Sequence, residues 1–243
     1  MRKYWVSGAV AAVVVLGGAG HLAVRPAGPH GPAPDAAPGA QTAAQDQAVA
    51  RAAAAPQTLL ADAAVQAELY PDDRILGSKD APITMIEYAS LTCPHCAAFE
   101  TQVMPQLKSD YIDKGQVRFV YRDFPLDGAA LQAAQLAQCA TDDQRFFALV
   151  DTLFKLQHEW GLSDDVPGAL AKIGALAGMD KATVDKCLAD QELKAKILAR
   201  RGDAETKFDV NSTPTFVING RVLRGVQTID MLQALFKELL PKG

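Results

Sequence analysis

Cysteine is scarce in this chain, with 4 in 243 residues, and its placement is uneven: Cys93 and Cys96 lie within one turn of each other, while Cys139 and Cys187 stand alone. That scarcity excludes a disulfide-dense scaffold. It also argues against structural zinc, which needs four ligands and normally takes two closely spaced pairs. No second pair exists, and neither Cys139 nor Cys187 has a His or another Cys nearby, so no metal is expected. Lysine and arginine form no dense run, and 24 basic against 28 acidic residues leave a formal net charge of −4. The electrostatic footprint of a nucleic-acid partner is missing.

Other absences shape the N-terminus. Tyr4 to Val24 contains no Asp, Glu, Lys or Arg and follows Met1-Arg2-Lys3, the pattern of a basic region leading an apolar export segment. A run of ~20 apolar residues is also long enough to span a bilayer. Gly8, Gly17, Gly18 and Gly20 weaken it as a helix, and small residues around Ala19 to Ala23 suit a signal peptidase. Residues 1–24 therefore read as a signal peptide or an N-terminal membrane anchor, with residues 4–24 as the tether. From Arg25 to Gln57 aromatic residues are absent and bulky aliphatics almost so; such an Ala/Pro-rich stretch cannot bury enough surface to offset its ordering entropy. A flexible linker is expected over 25–57, with His30 solvated in it.

The remainder is 49% hydrophobic over the whole chain and long enough for one larger domain or a domain carrying an insertion. Residues 58–72 predict a leading helix, with Thr58 as cap and Pro71 as stop. "APITMIEYAS" is a strand that runs directly into Cys93. Phe99, Val103, Leu107 and Tyr111 recur every four residues and predict an amphipathic helix that starts at the thiol pair. A second strand follows over Gln116 to Phe124. A helical region covers about 127–208, with breaks at Trp160-Gly161 and Val166-Pro167-Gly168. "PTFVIN" and Val222 to Arg224 form a hairpin turned at Asn219-Gly220, and a last helix runs from Thr228 to Leu240. The order β-α-β, helices, β-β-α is that of an α/β domain with an all-helical insertion. His158 and Trp160 read as helix-end packing, and Asp123 as a turn or cap residue.

What the pair "CPHC" does is constrained by its spacing. A crosslink between residues so close restricts the unfolded chain little and adds little stability. Redox exchange explains more. Cys93 at a helix start faces unsatisfied N–H groups and the positive end of the helix dipole, both of which stabilise a thiolate, and His95 can add to this if protonated or donating. Stabilising that thiolate stabilises the reduced state, so the disulfide form takes electrons from substrate thiols.

Strand, "CPHC", helix and the later "TPTF" resemble the thioredoxin-fold DsbA-like thiol:disulfide oxidoreductases, over about Asp73 to Leu240. The resemblance implies a thioredoxin-like domain over 73–243. Within it Cys93 is the exposed attacking sulfur behind Pro94, Cys96 the shielded partner, Glu87 an acid assisting proton transfer, and Thr213-Pro214 a cis-proline loop that binds substrate. Threonine departs from the enteric DsbA pattern, which has valine there, and is more usual in the isomerases and in other DsbA-like lineages. The resemblance further implies no bound cofactor, reduced unfolded proteins as substrates, a periplasmic location, and reoxidation by a membrane quinone reductase of the DsbB type. With Cys93 and Cys96 in the redox role, Cys139 and Cys187 remain as a structural disulfide, as in some relatives of this family; otherwise they are two small buried hydrophobes. Two other readings stand beside the oxidase: an isomerase or reductase of the same fold, and a non-enzymatic chaperone-like module.

Overall fold

The structure is a computed structural model and describes residues 68–241. The expected leader (1–24), the linker (25–57) and most of the leading helix lie outside the described residues. The described end of that helix, residues 68–72, is not helical. Tyr70 N donates to Asp73 Oδ2 (2.8 Å) and Asp73 N to Tyr70 O (3.1 Å), which makes a turn. Pro71 explains it, since proline disfavours helical backbone in the residue before it.

Five strands form one sheet in the order β1-β3-β2-β4-β5: β1 Arg74–Leu76, β2 Ile83–Ala89, β3 Val117–Asp123, β4 Thr215–Ile218 and β5 Arg221–Arg224. β2 and β3 are parallel, and the other pairings are antiparallel. β1 is an addition to the expected strands. Three residues are too few to show a period, and the strand is held from outside: Arg74 donates to the carbonyls of Gln138 (2.9 Å) and Ala140 (2.8 Å). The β4–β5 turn places Asn219 at φ 45° and Gly220 at φ 85°, the left-handed pair that a two-residue hairpin requires.

Between β2 and β3 runs α1, residues 94–112, in which ordinary turns (Pro94–Ala98, Met104–Leu107) alternate with wider π turns (Phe99–Val103, Lys108–Ile112). The four-residue spacing of Phe99, Val103 and Leu107 accounts for this. At 3.6 residues per turn such a stripe drifts around the helix, and a wider turn brings it back toward the core.

The insertion consists of α2 Gly128–Gln138, α3 Asp143–Lys155, α4 Gln157–Gly161, α5 Val166–Leu176, α6 Lys181–Ala189 and α7 Gln191–Phe208; α8 Ile229–Leu239 closes the fold. Aspartates start most of it. Asp127, Asp142, Asp165, Asp180 and Asp190 each accept a backbone N–H from the first turn of the helix that follows, each worth ~1 kcal/mol. Val166-Pro167-Gly168 is therefore a helix start rather than the expected break, because proline is tolerated in the first turn, where its missing N–H would have no partner. The break falls in 162–165, after Trp160.

Alternation along the strands separates two apolar layers. Ile83, Met85, Ala89, Phe119, Tyr121, Phe216 and Ile218 pack with α1, α8 and the insertion. Ile86, Tyr88, Val120 and Val217 form a smaller layer with Ala204 and Val210. Glu87 alternates with the first set and so points into the larger core, beneath α1. Behind the sheet the buried Arg122 donates to Asp73 (2.7 Å), to Tyr88 Oη (2.8 Å) and to the carbonyl of Glu68 (2.8 Å), which pins the start of the described chain.

Candidate active site

β2 ends at Ala89, and the chain turns through Ser90–Thr92, closed by Cys93 N donating to Ser90 O at 3.0 Å. Cys93 is consequently the capping residue of α1, extended at φ −79° and ψ 120°, with Pro94 in the first helical turn. Pro94 and His95 are exposed. Cys93 is only 5% exposed and Cys96 0%. The expectation of a projecting Cys93 is thus corrected: the Thr213–Pro214 loop lies against it, and its Sγ donates to Thr213 O at 3.4 Å. It remains the more accessible of the two sulfurs.

The pair is electrostatically asymmetric. The Cys93 thiol is lowered to about 5, first by the Cys96 S–H donating to it, then by Thr213 and by the backbone N–H groups of Cys96 and His95, with burial opposing. The Cys96 thiol is pushed up, chiefly by burial and then by its role as donor to Cys93 and by Glu87. At neutral pH one sulfur is a thiolate and its neighbour a thiol. His95 acts here through its main chain: the group that faces the sulfur is its N–H, while its side chain is exposed.

Thr213 and Pro214 are joined by a cis peptide bond. Thr213 is buried, and its Oγ1, which has no other hydrogen-bond partner, lies where it favours the Cys93 thiolate. An open groove is lined by Thr92 and Pro94, the neighbours of Cys93, with Gln157, His158, Gly161 and Leu162, and Leu162 is 79% exposed. His158 therefore sits at the groove, whereas Trp160 is core and donates its indole N–H to Leu153 O (2.7 Å).

Glu87 is fully buried and neither carboxylate oxygen has a hydrogen-bond partner. Burial first, then Glu100 and Cys93, push its carboxyl well above the usual range, which favours its protonated form. Glu100, which sequence reasoning passed over, is 8% exposed and is raised to about 7 by burial and Asp151, against Lys155. Its signal was its position four residues after Cys96, on the same side of a helix that begins at the thiols. Asp123 is not a turn residue but the buried end of β3; it accepts from Gln138 Nε2 (2.8 Å) and is raised to about 6, mainly by burial.

The sequence profile of the thioredoxin family matches residues 70–238. The solved structure of Wolbachia pipientis alpha-DsbA1 is 31% identical, superposes with a TM-score of 0.67, and is covered over 92% of its length by 70% of this chain. The chain belongs to the DsbA-like thioredoxin-fold family. Disulfide bond formation protein D of Bacillus subtilis is 28% identical over 69% of this chain and 78% of its own length. Among rickettsial relatives in the family, that of Rickettsia bellii is 34% identical, and the match spans 61% of this chain but 58% of the relative. The chain thus spans well under two thirds of such relatives.

Within this DsbA-like frame, Cys139 and Cys187 form a disulfide (S–S 2.04 Å) that joins the end of α2 to α6. It lies within the insertion. Gln135, one turn before Cys139, donates to the carbonyls of Cys187, Leu188 and Asp190, so the same two helices are also tied by hydrogen bonds. Among the described residues no cluster of His, Cys, Asp and Glu could hold a metal ion, and no helix is long and apolar enough to cross a membrane.

Proposed function

We propose that this protein is an exported thiol:disulfide oxidoreductase that introduces disulfides into secreted or periplasmic proteins through Cys93 and Cys96. The observation that carries the reading is the asymmetry of the pair, with Cys93 lowered to about 5 and Cys96 raised. A thiolate stabilised in the reduced enzyme makes the disulfide form a stronger oxidant.

A substrate thiolate attacks Cys93 Sγ of the Cys93–Cys96 disulfide. A mixed disulfide forms and Cys96 leaves with the electron pair. Buried as it is, Cys96 takes up a proton at once, and Glu87, whose carboxyl burial shifts toward the protonated form and which acts electrostatically on Cys96, is the proton donor of this reading. A second substrate thiolate then attacks its own chain's sulfur in the mixed disulfide. Cys93 departs as the stabilised thiolate, and low-pKa thiols leave faster. Two electrons pass from two substrate thiols to the enzyme, and a membrane quinone reductase of the DsbB type returns them to the quinone pool. The backbone beside Pro214 pairs with the extended substrate by strand addition. Residues 4–24 direct export and, if retained, tether the domain to the inner membrane.

The test is the equilibrium with glutathione together with two ribonuclease assays. Reduced ribonuclease should regain activity with the oxidised protein, and scrambled ribonuclease should gain little from the reduced protein. Faster rescue of the scrambled form would replace the oxidase with an isomerase, and loss of neither activity in Cys93→Ser would leave a chaperone-like module.

A further inference from the structure

Gln157 is the first residue of α4, in the helical insertion, and 7% exposed. Its Nε2 donates to two main-chain carbonyls of the catalytic loop, those of Leu91 (2.8 Å) and Cys93 (3.0 Å). Both partners are acceptors, so only the amide end of the side chain fits there, whichever way the group is drawn. Around it the loop is packed by the same helix. Trp160 anchors α4 to α3 through its indole, and a Cβ at Gly161 would stand 3.9 Å from Thr92 Cγ2.

From this geometry we infer that Gln157 is a positioning residue for the thiol chemistry: the insertion uses it to hold the loop in the shape that keeps the Cys93 thiolate facing its donors. The inference rests on the reading of Cys93 as the attacking thiolate. The Cys93 carbonyl has two tasks. It accepts Ala97 N–H (3.1 Å) to close the first turn of α1, and it accepts Gln157. The orientation of that peptide sets where the next N–H groups, those of His95 and Cys96, point relative to Sγ. The Leu91 carbonyl fixes the other end of the same short loop. The amide N–H is spent on the Cys93 carbonyl, so it acts on the sulfur through the orientation of that peptide. Without it, the buried carbonyls of Leu91 and Cys93 lose a donor and the loop is free to turn its N–H groups away from the sulfur. The disulfide form carries no charge on Cys93 and loses less. Cys96 from α1 and Glu87 from β2 act on Cys93, and Asp127 and His158 line the groove beside Thr92 and Gln157; Gln157 Nε2 donates to none of the four side chains, only to the carbonyls of Leu91 and Cys93.

The test uses the full chain with Gln157→Met, which keeps the length of the side chain and removes the donors, and Gln157→Glu, which keeps the shape and replaces donors by acceptors. Thiolate absorbance at 240 nm should show the Cys93 titration moving up by about one unit in Gln157→Met and further in Gln157→Glu. The glutathione equilibrium should shift about tenfold toward the disulfide form, or ~30 mV less oxidising. Equal losses of melting temperature in the two redox states, with titration and equilibrium unchanged, would mark Gln157 as structural only and overturn the inference. If the variants do not fold, the wild type decides: the Gln157 side-chain amide resonance should move with the Cys93 titration midpoint, and a resonance that ignores that titration overturns it. A wild-type Cys93 titrating near a free cysteine would instead sink the functional reading, which separates the two failures.

Discussion

Lowering the pH should narrow the stability gap between the reduced and oxidised protein, and the size of the effect follows from one sulfur. In the folded reduced protein Cys93 titrates near 5, against 9.0 for an unperturbed thiol. A thiol whose folded pKa is depressed contributes stability above that pKa, and the contribution is lost as pH falls through it. The contribution grows between pH 5 and pH 9. At pH 7 it amounts to about two pKa units, or roughly 3 kcal/mol, and at pH 4 it is close to zero. Cys96, pushed upward, stays protonated throughout this window. Burial of Glu87 and Glu100 is common to both redox forms and cancels in the difference, leaving only the smaller push of the Cys93 thiolate on Glu87. Urea unfolding of both forms at pH 4 and pH 7, with the redox state set by glutathione, should therefore show the reduced form gaining roughly 3 kcal/mol over the oxidised form between the two pH values, equivalent to ~60 mV. The gain should vanish in Cys93→Ser. A gap that does not change with pH in the wild type would refute the stabilised thiolate and, with it, the physical basis of the oxidase.

Glu87→Leu should stabilise the fold at pH 7 by roughly 1–3 kcal/mol, since it removes buried oxygens that lack partners. Because burial raises the Glu87 carboxyl above its ordinary 4.5, the wild type loses stability as pH rises past that value, so the gain should grow with pH in urea unfolding. The same variant should slow single-turnover oxidation of a thiol peptide, the step in which Cys96 needs a proton; an unchanged rate would remove Glu87 from the mechanism. The Cys139–Cys187 bridge, which spans 48 residues of sequence, should contribute ~4 kcal/mol by restricting the unfolded chain. Cys139→Ala with Cys187→Ala should lower stability by that order while the Cys93 titration stays in place, and non-reducing peptide mapping of the wild type should recover the two cysteines as one crosslinked peptide.

Much of the frame was legible because it is local. A β-rich run ending at Cys93, Pro94 in the first turn and Asn219-Gly220 between two short strands all act through dihedral preferences and hydrogen bonds spanning a few residues. Such terms are written in adjacent letters. The thiol pair was legible for the same reason: its chemistry depends on a helix start, and spacing alone places it there. The expected break at Val166-Pro167-Gly168 failed on a local ambiguity, since proline ends one helix and opens another, and only Asp165 at the cap decides between them.

The rest was decided by which surfaces met. Three residues of β1 carry no period and exist as a strand because Arg74 is held by the insertion. Whether Glu87 faced solvent or core depended on what covered that side of the sheet, and burial without a partner is what sets its proton affinity. Cys93 proved nearly covered because a loop 120 residues away folds over it. Gln157 reads in the sequence as one more polar helix residue. Its grip on the carbonyls of Leu91 and Cys93 exists only once the insertion packs beside the thioredoxin core, since a hydrogen bond across 64 to 66 residues is fixed by tertiary approach and leaves no periodic trace in the chain.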